Sequence, residues 1–127
     1  MTFSFKYFLS STQLTVSDVE DLIEKTDKYY EKRNERNCKD LAGRILATLF
    51  FEASTRTRFS FESAMYRLGG HVVSLEQGLS SSVKKGESLS DMGRMMSHYA
   101  DIVVIRHPNA GGVDAFSKYA TIPIMEN

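Results

Sequence analysis

Cysteine is nearly absent from this chain, charge of either sign is in no surplus, and no long apolar run occurs. Cys38 is the single cysteine in 127 residues, which excludes an internal disulfide and a multi-cysteine metal site. It stands in the polar stretch Arg36-Asn37-Cys38-Lys39-Asp40 and reads as a bystander thiol. Lys plus Arg equals Asp plus Glu, 16 against 16, so no general pull on nucleic acid or an anionic membrane is expected, and any anion site must be local. No apolar run approaches the ~20 residues of a membrane span. Phe3, Phe5, Tyr7 and Phe8 crowd the N-terminus, but no apolar segment with a small-residue cleavage site follows them, and the cytoplasm is the expected location. The G-x-x-x-x-G-K-[ST] phosphate loop and the glycines of a dinucleotide fingerprint are missing. No His/Cys/Asp cluster suggests a metal.

What is present suits one domain, residues 1–127, with 42% apolar and 25% charged residues. Residues 1–15 are irregular with alternating aromatics, consistent with a short strand or an arm. Ser17 and Glu20 have capping-box spacing, and Val19, Leu22, Ile23, Thr26 and Tyr30 follow on one helical face. Arg44 to Phe51 reads as a central strand, apolar on both sides. A helix from Phe59 to Leu68 is expected to turn Phe59, Ser63, Ala64 and Leu68 inward, widened by Phe61 and Met65, before Gly69-Gly70 stops it. His71 to Leu75 is a second strand. Glu76 to Gly86 is a polar loop without a period. Ser88 and Asp91 open another helix with the stripe Leu89, Met92, Met96 and Tyr99. Ile102 to Ile105 is a third strand, Val113 to Ala120 a short helix, and Ile122 to Met125 a fourth strand, placed at an edge by Pro123. The alternation predicts a three-layer α/β fold: a four-stranded parallel sheet, order 2-1-3-4, with helices on both faces.

Two strand ends carry chemistry. Phe51 runs into Ser54-Thr55-Arg56-Thr57-Arg58, and Ile105 runs into Arg106. In such sheets ligands collect at the carboxyl ends of strands. An R-x-R pair on a helix is ordinarily a solvated face. Here it sits at a strand-to-helix turn with hydroxyls at every neighbouring position, where free N–H groups and the helix dipole favour an anion. The residues themselves support a phosphate or phosphonate site and name no reaction.

The stretch Leu49-Phe50-Phe51-Glu52-Ala53-Ser54-Thr55-Arg56-Thr57-Arg58-Phe59-Ser60-Phe61-Glu62 resembles the carbamoyl-phosphate signature of the aspartate and ornithine carbamoyltransferases, with alanine at 53 where many members have proline. The resemblance continues in Lys84-Lys85-Gly86-Glu87-Ser88-Leu89-Ser90-Asp91, in Tyr99-Ala100-Asp101 and in Ile105-Arg106-His107-Pro108, and so covers the chain from about residue 17 onward. Ser81, Lys84, Lys85, Gly86 and Glu87 are similar to the loop of the aspartate branch.

The resemblance implies a reaction in which the aspartate amine attacks the carbonyl carbon of carbamoyl phosphate, giving carbamoyl aspartate and phosphate in pyrimidine biosynthesis, with no cofactor. It implies that Ser54, Thr55, Arg56 and Thr57 hold the phosphate, that Arg106 contacts phosphate and carbonyl oxygen, and that Thr57 helps polarise that oxygen. Arg56, Thr57 and Arg106 are thus the catalytic set. Ser81 and Lys85 are implied to enter the site of a neighbouring subunit in a homotrimer, with regulatory subunits as possible further partners. Glu52 is expected to pair with arginines of a second domain, Arg58 to make a structural salt bridge, and His107 to serve packing, because the family's catalytic histidine belongs to a later H-P-T-Q segment. L-aspartate is expected to bind a C-terminal domain that this sequence does not contain. An ornithine-type or other transcarbamoylase, or a non-catalytic phosphate-binding or trimerisation module, are the alternative readings.

Overall fold

The computed structural model describes residues 5–76 and 88–127. Its centre is β2, Ile45–Phe50, whose last five residues are buried. β2 pairs in parallel with β3, His71–Glu76, on one side and with β4, Ile102–Arg106, on the other. A strand covered on both faces has no need of alternation, and Ile45-Leu46-Ala47-Thr48-Leu49-Phe50 shows almost none.

Side chains leave the sheet alternately up and down, which divides the core in two. On one face Ala47, Leu49, Phe51, Val103, Ile105 and Ile124 pack with Met92 and Met96 of α3 (Leu89–Tyr99) and with Val113 and Phe116 of α4 (Gly112–Ser117). On the other, Leu46, Phe50 and Val104 pack with Phe61 and Met65 of α2 (Thr55–Arg67). The two helices of the first face touch closely: a Cβ on Gly93 would lie 1.9 Å from the Phe116 carbonyl oxygen. Only glycine fits there.

The sheet has five strands in the order β1-β5-β4-β2-β3, one more than the four expected from the sequence; those four keep their expected neighbours, 2-1-3-4, here β3-β2-β4-β5. The addition is β1, Tyr7–Phe8, which pairs in parallel with Ile124 and Met125 of β5 (Ile124–Glu126). The Tyr7 hydroxyl fixes it by donating to the Ala120 carbonyl at 2.6 Å. β5 is therefore internal, correcting the edge position expected from Pro123. The proline precedes the strand, where its missing N–H breaks no ladder bond, and its carbonyl accepts from Val103 N–H at 3.0 Å.

Two helices each correct one further expectation. The first helix, α1 (Val16–Glu31), is capped by Thr15 and not by Ser17: the Thr15 hydroxyl accepts from Asp18 N–H, and the Asp18 carboxylate accepts from Thr15 N–H. Its apolar stripe is largely uncovered, with Val19 41%, Ile23 58% and Tyr30 63% exposed. Ser88 caps α3 by accepting from Asp91 N–H, and Met92 and Met96 point into the core, but Tyr99 points outward.

The inward face of α2 also differs. Phe59, Ser63 and Ala64 are exposed, and the residues turned toward the sheet are Arg58, Phe61, Glu62 and Met65. That set has the i, i+3, i+4, i+7 spacing of one helical face, with two ionised residues in it.

Candidate functional site

β2 and β4 are neighbours, and their last residues, Phe50 and Arg106, lie opposite each other in register. The Phe51 N–H donates to the Arg106 carbonyl at 2.9 Å, which extends the pairing to the turn. Three residues on, Ser54 takes the N-cap position of α2 with extended φ of −151°. Its carbonyl accepts from Arg58 N–H at 3.0 Å, but its side chain makes no cap hydrogen bond. The first N–H groups of a helix lack intrahelical acceptors. Whereas α1 and α3 satisfy one of theirs with a threonine or serine hydroxyl, α2 keeps its end open. Open N–H groups, the positive end of the helix dipole and a Ser54 hydroxyl that makes no cap hydrogen bond converge there.

Two arginines flank this end. Arg56 is exposed and makes no ion pair with any described residue. Arg106 is two-thirds buried, and its Nε donates to Glu52 Oε2 at 3.2 Å. Glu52, expected to serve a second domain, holds Arg106 at the mouth of the turn while leaving the two Nη groups of that guanidinium for another acceptor. The structure therefore brings Ser54, Thr55, Arg56, Thr57 and Arg106 to one end of the sheet. Ser81 and Lys85 lie outside the described residues. No group of three or more His, Cys, Asp or Glu side chains gathers as a metal set among the described residues.

His107 packs. Its ring lies 5.4 Å from that of Phe51, its Nδ1 accepts from Asn109 N–H at 3.1 Å, and a Cβ on Gly112 would come within 2.2 Å of the same nitrogen. Beneath the turn lies a polar group that sequence reasoning passed over. Thr48, buried in the middle of β2, and Ser74 of β3 each donate to Glu62 Oε1 at 2.7 Å. Arg58 faces Glu62 and pairs with Glu76 at the end of β3. The available signal was a lone threonine within an apolar strand and a glutamate on the Phe61/Met65 face.

A sequence profile described as "Aspartate/ornithine carbamoyltransferase, carbamoyl-P binding domain" matches residues 6–127. The chain belongs to this family. Among relatives of the carbamoyltransferase family, the aspartate carbamoyltransferase catalytic subunit of Thermococcus kodakarensis is 46% identical over 118 residues, covering 92% of this chain and 38% of the relative. The solved catalytic subunit of M. jannaschii aspartate transcarbamoylase superposes with a TM-score of 0.90 at 45% identity, covering 96% of this chain and 41% of that one. Aspartate transcarbamoylase from Trypanosoma cruzi, solved in complex with carbamoyl phosphate, gives a TM-score of 0.86 at 37% identity, covering 95% and 38%. The chain thus spans about two fifths of the length of the relatives it matches.

Proposed function

We propose that this chain is the carbamoyl-phosphate-binding part of an aspartate-type carbamoyltransferase, and that the open N-terminus of α2 receives the phosphate. The observation that carries this reading is that an uncapped helix end and Arg106, from the neighbouring strand, share one edge of the sheet. Thr55, Arg56 and Thr57 supply N–H donors, Ser54 and Thr55 supply hydroxyls, and Arg56 offers a planar fork to phosphate oxygens. Arg106 reaches the same anion from β4 and, with Thr57, donates to the carbonyl oxygen of the carbamoyl group. Attack by the aspartate amine then forms a C–N bond while negative charge builds on that oxygen, and the C–O bond to phosphate breaks as the tetrahedral centre collapses. Arg106 and Thr57 stabilise the developing charge, and the turn stabilises the departing phosphate. No cofactor enters this chemistry.

The amine substrate, in this reading, binds a second domain of the whole protein. Ser81 and Lys85 complete the site of an adjacent subunit in a homotrimer located in the cytoplasm, and regulatory subunits are further candidate partners. The liganded Trypanosoma cruzi relatives, solved with carbamoyl phosphate and with N-(phosphonacetyl)-L-aspartic acid, support the ligand class. Calorimetric titration of the chain with carbamoyl phosphate tests the proposal. Binding is expected, and Arg56→Ala is expected to weaken it about 10- to 100-fold, the loss of one or two charge-assisted hydrogen bonds, with the thermal midpoint unchanged. Equal affinity of the two proteins would remove Arg56 from the site.

A further inference from the structure

We propose that Arg58 is a positioning residue of the phosphate site, acting by partly offsetting the charge of two carboxylates that would otherwise face the bound anion; this rests on the reading of residues 54–57 as that site. Arg56 and Arg58 stand two residues apart, about 200° around a helix, so they leave α2 on opposite sides. Arg56 goes to solvent and Arg58 goes inward, its side chain 23% exposed. The Arg58 N–H closes the first turn of α2 on the Ser54 carbonyl. Its guanidinium pairs with Glu76 through Nη1 and lies with Nε 3.7 Å from Glu62 Oε1. That Nε is buried and has no hydrogen-bond partner. The approach to Glu62 is thus an attraction between charges without a hydrogen bond, and one cation serves two acids.

Both acids are held close to the turn. Glu62 cannot swing away, because the hydroxyls of Thr48 and Ser74 donate to it from the sheet. Glu76 occupies the same cross-sheet row as Phe50 and Arg106. At roughly 4.8 Å between strands it stands about 10 Å from the Arg106 backbone and one strand from the chain that runs into Ser54. Glu62 and Glu76 are 18% and 33% exposed at the side chain, so water screens them incompletely. A phosphate dianion at the α2 end would meet two partly buried negative charges, Glu62 about two helical turns along α2 and Glu76 on the adjoining strand. Arg58 offsets one unit of that charge, and the Thr48 and Ser74 hydroxyls hold Glu62 Oε1 toward the sheet. The spacing R-x-R thereby divides labour: the first arginine grips the ligand and the second shields it from the acids beneath.

The test uses inorganic phosphate, titrated into the 127-residue chain at low ionic strength and followed by phosphorus NMR. Arg58→Gln is expected to weaken binding at least about tenfold, Arg58→Lys to stay within about threefold of the unmodified chain, and the triple variant Arg58→Gln/Glu62→Gln/Glu76→Gln to recover most of the loss. The Arg58→Gln deficit is expected to shrink as salt is added. A purely structural arginine predicts the opposite for the triple variant, which removes two more charged side chains without restoring either ion pair. If Arg58→Gln fails to fold, the triple variant still decides: affinity near that of the unmodified chain supports shielding, and a loss of tenfold or more overturns it. Folded Arg58→Gln with undiminished affinity also overturns it. Failure of the unmodified chain to bind phosphate overturns the phosphate-site reading and this inference together, and is distinct from either result.

Discussion

Thr48 and Gly93 show how single atoms set this structure. Thr48 is fully buried in β2, where valine would fill the same space, and its hydroxyl survives there because Glu62 accepts from it. Gly93 has no side chain because the Phe116 carbonyl occupies the place of its Cβ. Gly93→Ala is expected to push α3 and α4 apart and to destabilise the chain by about 1–3 kcal/mol or more, read as a lower urea midpoint with an unchanged slope. Site residues were legible where type and position coincided. Ser54 to Thr57 announce themselves by following an apolar strand, and Arg106 by ending one. Glu62 did not, since a helical stripe is sought among apolar residues and it completes a stripe of Phe61 and Met65 with charge; Arg58 was expected to make a salt bridge, and the structure supplies its acids, Glu62 and Glu76.

At the scale of elements, the helix ends divide into closed and open. α1 is closed by Thr15 and Asp18, and the hydrogen bonds from the Thr15 hydroxyl and then its N–H hold the Asp18 carboxyl below the ordinary aspartate range. A carboxyl depressed by folding contributes stability above its unfolded value and loses it as pH falls through the folded one. The far-UV helical signal is therefore expected to decline as acid reaches the low end of the carboxylate range, and Asp18→Asn is expected to flatten that part of the profile. A variant with the same acid limb as the unmodified chain would remove Asp18 from the cap. The sequence pointed to Ser17 and Glu20 for this role because their spacing satisfies the same rule two residues later. Local pattern fixes that a cap exists, and backbone geometry selects which hydroxyl forms it. The same limit applies to the face of α1: Val19, Ile23 and Tyr30 declare an amphipathic helix and say nothing of what covers it.

For the whole molecule, the alternation of strands and helices made the parallel sheet legible, and the apolar runs located β2, β3 and β4. β1 was legible only as one of two readings of residues 1–15, a short strand or an arm. Two residues carry no period, and its existence depends on Ile124 and Met125 at the far end of the sequence. Tyr7 supplies its side-chain tie, a hydroxyl bonded to a carbonyl 113 residues away. Tyr7→Phe is expected to cost about 1 kcal/mol and to speed amide hydrogen exchange in β1 and β5 while leaving β2 and β4 protected. Uniform acceleration across the sheet would show that the tie is not local to that edge.

That long tie also orders events in time. On the ribosome Ile124 and Met125 are made more than a hundred residues after Tyr7 and Phe8. β2, β3 and α2 can assemble from neighbouring sequence while the chain is still growing, but the first strand has nothing to join until translation reaches β5. The earliest strand of this sheet in the sequence is therefore the last to find its place.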